Sequence, residues 1–169
     1  MPPLKPLRFY WDSNVFLDYF NETPGKFPDI NTILADIRAS QEQYKIITSV
    51  LTISEVAYIA EEKIAPDKHQ NVEARLDELW TNIRMIDIVE VNEFVAREAR
   101  RLTRIAFLNG WHGIRSHDAV HLASALYVQK HVEVIAFHTY NLKDFQNFRS
   151  EVSFRIEEPR PTQLQLLAC

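Results

Sequence analysis

The sequence contains little cysteine or glycine and no long apolar stretch. Its single cysteine, Cys169, excludes an intramolecular disulfide and any metal site built on several cysteines, and we interpret it as a terminal thiol. Only 3 of the 169 residues are glycine, and no segment has the composition of a linker or a disordered tail. No window approaches the ~18 consecutive apolar residues of a membrane span, and the first residues, MPPLKPLRFYW, lack the apolar core of a signal peptide. We expect a soluble, cytoplasmic protein without a membrane partner.

The amounts of hydrophobic and charged residues are those of an ordinary compact chain. Hydrophobic residues make up 46% of the sequence, which at this length favours one domain spanning residues 1–169. The net charge of -4 argues against a general nucleic-acid coat protein. It leaves room for a local basic patch, and four arginines are spaced to lie along one side of a helix: Arg97, Arg100, Arg101 and Arg104. The alternative is an ordinary solvated face.

Short runs of branched and aromatic residues alternate with longer helical patterns. The runs predict strands at residues 8–11, 44–49, 84–91 and 132–137, with a late edge strand at 152–156. Helical periodicity covers residues 14–21, 29–41, 53–64, 67–82, 93–109 and 116–130. Strands separated by long helical segments imply crossover connections. We therefore expect a three-layer α/β fold with a mostly parallel sheet of four or five strands and helices on both faces.

Four acidic residues lie where predicted strands end or predicted helices begin. Asp12 and Glu55 follow the first two strands, Asp118 opens the helix before strand 132–137, and Asp144 follows that strand. Ligands of parallel sheets bind beyond the carboxyl ends of the strands, so these acids are expected to converge at one edge. Each also has a local explanation: Asp12 as a helix cap, Glu55 in a capping box with Thr52, Asp118 in a first turn behind a Ser116 cap, and Asp144 as a surface acid beside Lys143.

Capping does not explain why all four acids share one edge of the sheet. Clustered carboxylates repel one another and raise one another's pKa unless a cation neutralises them. Oxygen-rich sites suit Mg²⁺ or Mn²⁺ rather than zinc, and such ions support phosphoryl transfer. The pattern therefore favours a nuclease.

The stretch SHDAVHLASAL, residues 116–126, also allows a different interpretation. His117 and His121 have the H-x-x-x-H spacing that places two imidazoles on one helix face, as in zinc hydrolases. Against this, Asp118 is one methylene shorter than the usual glutamate, and the surrounding residues predict a helix that is buried on most sides. A second interpretation is that His121, one turn after Asp118, supports that acid.

Four blocks in order along the chain resemble the PIN-domain ribonucleases, in particular the VapC-like toxins of toxin–antitoxin pairs. They are YWDSNVFLDYF, TSVLTISEV, HDAVHLASAL and FHTYNLKDF, and together they span residues 10–145. The resemblance implies that one or two Mg²⁺ or Mn²⁺ ions are held by Asp12, Glu55, Asp118 and Asp144, with Asn141 near the metal. It also implies that Ser13 supports the first acid and that Asn14 orders the same turn.

The same resemblance implies an endoribonuclease with an antitoxin partner and a homodimeric state. For contacts with RNA phosphates we name Arg115 and the arginine face of residues 97–104, in particular Arg97, Arg101 and Arg104. The alternative function is a catalytically inactive PIN-like module that binds RNA or protein. The presence of all four acids favours the enzyme.

Overall fold

A computed structural model describes residues 6–40, 43–64, 69–82 and 85–161. Within these ranges five strands form one sheet in the order β3-β2-β1-β4-β5, and every neighbouring pair is parallel. The strands are β1 (Leu7–Trp11), β2 (Tyr44–Ser49), β3 (Ile86–Val89), β4 (Val134–His138) and β5 (Arg155–Glu157). This confirms the predicted parallel sheet, including the late edge strand, which begins three residues later than predicted.

Helices connect the strands and cover both faces of the sheet. They are α1 (Ser13–Phe20), α2 (Phe27–Ala39), α3 (Leu51–Glu55), α4 (Ala60–Ile64), α5 (His69–Trp80), α6 (Glu93–Leu108), α7 (Ser116–Gln129) and α8 (Leu142–Phe145), followed by a 3₁₀ helix at Gln146–Ser150. None of the described helices is long and apolar enough to cross a membrane. The predicted element ends at 41, 67 and 84, and the thiol of Cys169, lie outside the described residues.

The inner strands β1, β2 and β4 are mostly buried on both faces, which explains their nearly continuous apolar sequences. Successive side chains of β1 point to opposite sides of the sheet. Phe9 and Trp11 pack in a core with α1, α2 and α5, whereas Tyr10 packs in a second core with α6, α7 and α8. Two cores separated by one sheet make the three-layer arrangement that the sequence predicts.

The predicted single helix at 53–64 is wrong. Instead α3 ends at Glu55, and Val56 leaves the helical conformation with φ -98° and ψ 49°. Val56 and Ile59 are buried in the first core, and the backbone N–H of Ala60 donates to Asn21 Oδ1 at 2.7 Å. These contacts with distant elements outweigh the local helical periodicity. They leave Glu55 at the end of a five-residue helix.

A glycine turn leads from α6 into the loop before α7. Gly110 has φ +65°, its N–H donates to Phe107 O at 3.2 Å, and the N–H of Trp111 donates to Ala106 O at 2.8 Å. These two bonds form a Schellman motif, which requires the left-handed conformation that glycine adopts readily. The ring of Trp111 then packs edge-on against Phe148, with centroids 5.3 Å apart. The turn directs residues 111–115 towards the carboxyl edge of the sheet.

Candidate active site

Asp12 lies at the junction of β1 and α1. Its backbone N–H donates to His138 O at 3.1 Å, and its side chain caps α1 by accepting from Ser13 N at 2.8 Å, as predicted. The carboxylate is 3% exposed. Burial raises the pKa of Asp12, and the charge of Asp118 raises it further, although His121, Thr139 and Ser13 oppose the rise. The acid is therefore held in a place where its charge costs free energy.

Two side chains fix the second oxygen of Asp12. Asn14 Nδ2 and Thr139 Oγ1 both donate to Asp12 Oδ2, at 2.5 and 2.9 Å. Asn14 also accepts from Tyr140 N at 3.1 Å, and Thr139 Oγ1 accepts from Asn141 N at 3.0 Å. The predicted role of Asn14 in ordering this turn agrees with these contacts. Thr139 was not predicted as a site residue. Its position directly after β4, at the same edge of the sheet as Asp12, could have indicated this role.

Glu55 reaches the same edge through a histidine on α7. Glu55 Oε2 lies 2.6 Å from His121 Nε2, and His121 Nδ1 lies 2.9 Å from the hydroxyl of Tyr10. Burial alone would raise the pKa of Glu55, but the hydrogen bonds from His121 and Ser13 help to lower it overall. The predicted capping box with Thr52 is wrong, because the Thr52 hydroxyl is bonded to Thr48 Oγ1 at 2.6 Å.

Asp118 lies in the first turn of α7, and its side chain accepts a hydrogen bond from the backbone at the start of that helix. Its Oδ2 accepts from Arg115 N at 2.9 Å, so Arg115 is the N-cap residue and Ser116 is the first helical residue. The predicted Ser116 cap is therefore wrong by one position. Burial raises the pKa of Asp118, and repulsion from Asp144 adds to this. Its other oxygen, Oδ1, lies 3.6 Å from His117 Nε2.

Asp144 lies in α8. Its side chain contacts the loop that precedes α8 and also the loop between α6 and α7. Its Oδ2 accepts from Asn141 Nδ2 at 2.5 Å. Gly113, with φ +122°, lies so close that a Cβ atom at this position would overlap Asp144 Oδ1. Gly113 was missed by sequence reasoning, because nothing local indicates that residue 144 would lie beside it.

The four acids lie at one edge of the sheet, but their side chains are not gathered into one complete metal-binding group. Asp12 and Asp118 repel each other, as do Asp118 and Asp144, while Glu55 is linked to Asp12 through Ser13 and His121. Within the described ranges, no three histidine, cysteine or acidic side chains form a group that could hold a metal ion. Asp118 Oδ1 and Asp144 Oδ1 nevertheless accept no hydrogen bond from any described residue. Mutually repelling oxygen donors of this kind fit a hard divalent cation.

Comparison with known proteins identifies the family. The sequence profile of the PIN domain matches residues 9–147, a range that contains all four acids. The chain belongs to the PIN domain family. A search of curated proteins gives no significant match.

Solved structures share the fold of this PIN domain at low sequence identity. A chain of VapBC2 from Rickettsia felis, bound to a DNA fragment from its promoter, is 14% identical with a TM-score of 0.64, covering 90% of this chain and 98% of that one. DNA-bound VapBC from Salmonella typhimurium gives 18% and 0.63 with the same coverage. FitAcB from Neisseria gonorrhoeae gives 18% and 0.58, covering 89% of this chain and 97% of that one. The predicted VapC-like PIN fold is confirmed.

The histidines of this PIN domain do not form the zinc site that their spacing suggested. His121 is fully buried, and both of its ring nitrogens are engaged, one by Tyr10 and one by Glu55. It therefore has no free lone pair for zinc. The prediction that His121 supports Asp118 is also wrong, because the histidine bonds a different acid. The ring is bonded to Glu55 and lies 3.8 Å from Asp12 Oδ1.

The five arginines that the sequence analysis singled out fall into two groups. Arg97 is paired with Glu93 at 2.6 Å, and Arg101 is paired with Glu98 at 2.7 Å and Glu151 at 3.4 Å. The other three, all exposed, form no ion pair with a described residue: Arg100, Arg104 and Arg115. Of these five arginines, the second group is the one whose charge no described acid compensates.

Proposed function

We propose that this PIN domain is a Mg²⁺- or Mn²⁺-dependent endoribonuclease and the toxin of a toxin–antitoxin pair. PIN domains are in general nucleases. The observation that carries the proposal is the pair Asp12 and Asp118, two buried carboxylates from distant segments that repel each other at the carboxyl edge of the sheet. Such a pair is stabilised by a cation between or beside its members.

In this proposal one or two divalent ions are held by Asp12, Glu55, Asp118 and Asp144, with Asn141 at the margin of the site. A bound ion of this type stabilises the charge that develops on the phosphate and on the leaving oxygen. Asn14 and Thr139 hold Asp12 in one orientation, and the backbone of Arg115 does the same for Asp118. The chain thus fixes the oxygen donors before substrate arrives, which lowers the reorganisation that the reaction requires.

The proposed partners are an RNA strand and an antitoxin protein, and the proposed assembly is a homodimer. RNA phosphates would be met by three of the predicted arginines, those that form no ion pair with a described residue: Arg100, Arg104 and Arg115. The support for an antitoxin is the shared fold with chains of VapBC assemblies. The competing function, an inactive binding module, predicts RNA binding without cleavage.

The test is cleavage of a panel of single-stranded and hairpin RNAs in Mg²⁺ or Mn²⁺. We expect Asp12→Asn and Asp118→Asn to reduce the cleavage rate by a factor of about 10² or more, since each removes a charge that a bound cation requires. The matched control is Asp77→Asn, which removes an exposed acid on α5 and should leave the rate unchanged. Cleavage that survives both site substitutions would contradict the site, and binding without cleavage in the wild type would support the inactive module.

A further inference from the structure

A buried chain of hydrogen bonds connects the middle of the sheet to Glu55. Tyr10 on β1 is fully buried, and its hydroxyl lies 2.9 Å from His121 Nδ1 on α7. The two rings are arranged edge-on, with centroids 6.0 Å apart and planes at 72°. His121 Nε2 lies 2.6 Å from Glu55 Oε2 on α3. Three side chains from three elements thus form one continuous path.

The direction of each bond follows from the chemistry of the two ends. The hydroxyl of Tyr10 can donate one hydrogen bond and can also accept, and it lies within bonding distance of His121 Nδ1. The carboxylate of Glu55 accepts hydrogen bonds, and its Oε2 is the atom that faces His121 Nε2. His121 Nε2 therefore carries a hydrogen and donates to Glu55. The phenol of Tyr10 can then donate to Nδ1, which selects one tautomer of the imidazole.

Glu55 needs such support because its own helix gives it little. It is the last residue of the five-residue α3, which has no side-chain N-cap, and the chain leaves helical geometry at the next residue. Its side chain is 21% exposed, whereas the His121 side chain is fully buried. A long, partly exposed carboxylate on a short helix would otherwise lose rotamer freedom whenever it bound a ligand.

We propose that Tyr10 and His121 are positioning residues for Glu55. Tyr10 holds His121 in the Nε2–H tautomer, and His121 holds one carboxylate oxygen of Glu55 so that the other is presented in a fixed place. This inference rests on the proposed metal site for its consequence, but the tautomer and the held carboxylate are properties of the protein alone. Residues that orient a metal-binding side chain in this way typically change metal affinity about 10–100-fold when they are removed.

The test combines Mn²⁺ titration calorimetry with ¹⁵N NMR of the histidine ring. We expect His121→Leu to weaken Mn²⁺ binding about 10–100-fold and Tyr10→Phe to weaken it by a smaller factor. His121→Gln should recover part of the loss, because its amide can still donate a hydrogen bond to Glu55. The matched control is Tyr127→Phe on the same helix as His121, and it should bind Mn²⁺ like the wild type. In a Glu55→Gln background, His121→Leu should add no further loss.

The NMR measurement separates this proposal from the proposed metal site. We expect the metal-free wild type to show His121 as the Nε2–H tautomer and Tyr10→Phe to show a mixture. If the wild type binds no Mn²⁺, the metal site fails, while the tautomer spectra still decide whether Tyr10 controls His121. If the wild type binds Mn²⁺ and folded Tyr10→Phe and His121→Leu bind it equally well, the positioning role is wrong. A doubly protonated or Nδ1–H ring would also overturn it.

Discussion

At the scale of single residues, the charge of Asp118 lowers the stability of the metal-free fold, while the proposed metal site requires that charge. Its pKa is raised by burial and by repulsion from Asp144, so the folded protein holds this proton more tightly than the unfolded chain does. An acid whose pKa is higher in the folded state does not change the free energy of unfolding at a pH below its unfolded-state pKa. As the pH rises from there through the folded-state pKa, the acid lowers the stability of the fold. At neutral pH the metal-free protein therefore carries an unfavourable charge.

We predict that Asp118→Asn stabilises the metal-free protein at pH 7. An amide oxygen can still accept from Arg115 N, while the repulsion disappears. The melting temperature should rise by about 2–4 °C, which corresponds to about 1 kcal/mol for a chain of this size. The gain should shrink as the pH falls, because the wild-type acid, whose pKa is raised, becomes protonated at a higher pH than an ordinary aspartate. Thermal scans at several pH values measure this, with Asp77→Asn as the control.

Adding Mg²⁺ should reverse the order of the two proteins. The ion binds the folded wild type and stabilises it by mass action, whereas Asp118→Asn has lost a proposed ligand. A variant that is less stable than the wild type in EDTA at pH 7 would show that Asp118 contributes more through local bonds than it costs through its charge.

The acids themselves could be named from the sequence, whereas their supporting residues were found less completely. Asp12, Glu55, Asp118 and Asp144 are recognisable because strand ends and helix starts have local signatures. The partner of His121 was predicted as Asp118, one turn away on the same helix, but it is Glu55, which lies 66 positions earlier in the chain. Long-range contacts of this kind leave no periodic pattern in a single sequence.

At the scale of secondary-structure elements, the loop between α6 and α7 determines where Asp144 can lie. Gly113 in this loop has φ +122°, a conformation that side-chain-bearing residues rarely adopt, and it contacts the Asp144 side chain. We predict that Gly113→Ala lowers stability by about 1–3 kcal/mol and weakens Mn²⁺ binding, because the new methyl group displaces the carboxylate. Chemical denaturation and calorimetry measure the two effects.

Gly25→Ala is the matched control for this prediction. Gly25 also has a positive φ, of +79°, but a Cβ atom there would meet nothing within 4 Å. It should lose stability through the backbone alone and keep its affinity for Mn²⁺. Equal Mn²⁺ affinity in both variants would show that the contact of Gly113 with Asp144 has no part in the site.

The elements also show which parts of the fold a sequence can and cannot predict. Strands β1, β2 and β4 were predicted because each is a short, largely apolar run that is mostly buried on both faces. The break after Glu55 was not, since the apolar spacing of residues 53–64 fits a helix equally well. What ends the helix is the burial of Val56 and Ile59 against distant elements, together with the bond from Ala60 to Asn21.

At the scale of the whole molecule, an acidic protein must present positive charge locally to hold RNA. The net charge is -4, and Arg97 and Arg101 are neutralised by glutamates. We predict that the pair Arg100→Gln and Arg104→Gln raises KM for RNA several-fold with little change in kcat. The logarithmic salt dependence of RNA binding should become shallower by about 0.7 for each phosphate contact that is lost.

The matched double variant on the same helix is Arg97→Gln with Arg101→Gln. It removes the same number of positive charges, but from groups whose charge is already compensated, so its effect on KM and on the salt slope should be smaller. Equal effects from both pairs would mean that RNA responds to total charge and not to this part of α6.

The pairing of β1 with β4 has a consequence for the order of events during synthesis. Trp11 lies in register with His138, and the bond from Asp12 N to His138 O closes the edge on which the acids lie. A chain that has emerged from the ribosome only as far as α6 contains Asp12 and Glu55 but lacks the strand and the helix that complete their surroundings. Contacts between such distant residues form late and slowly. The four acids can therefore come together only after most of the chain has been synthesised.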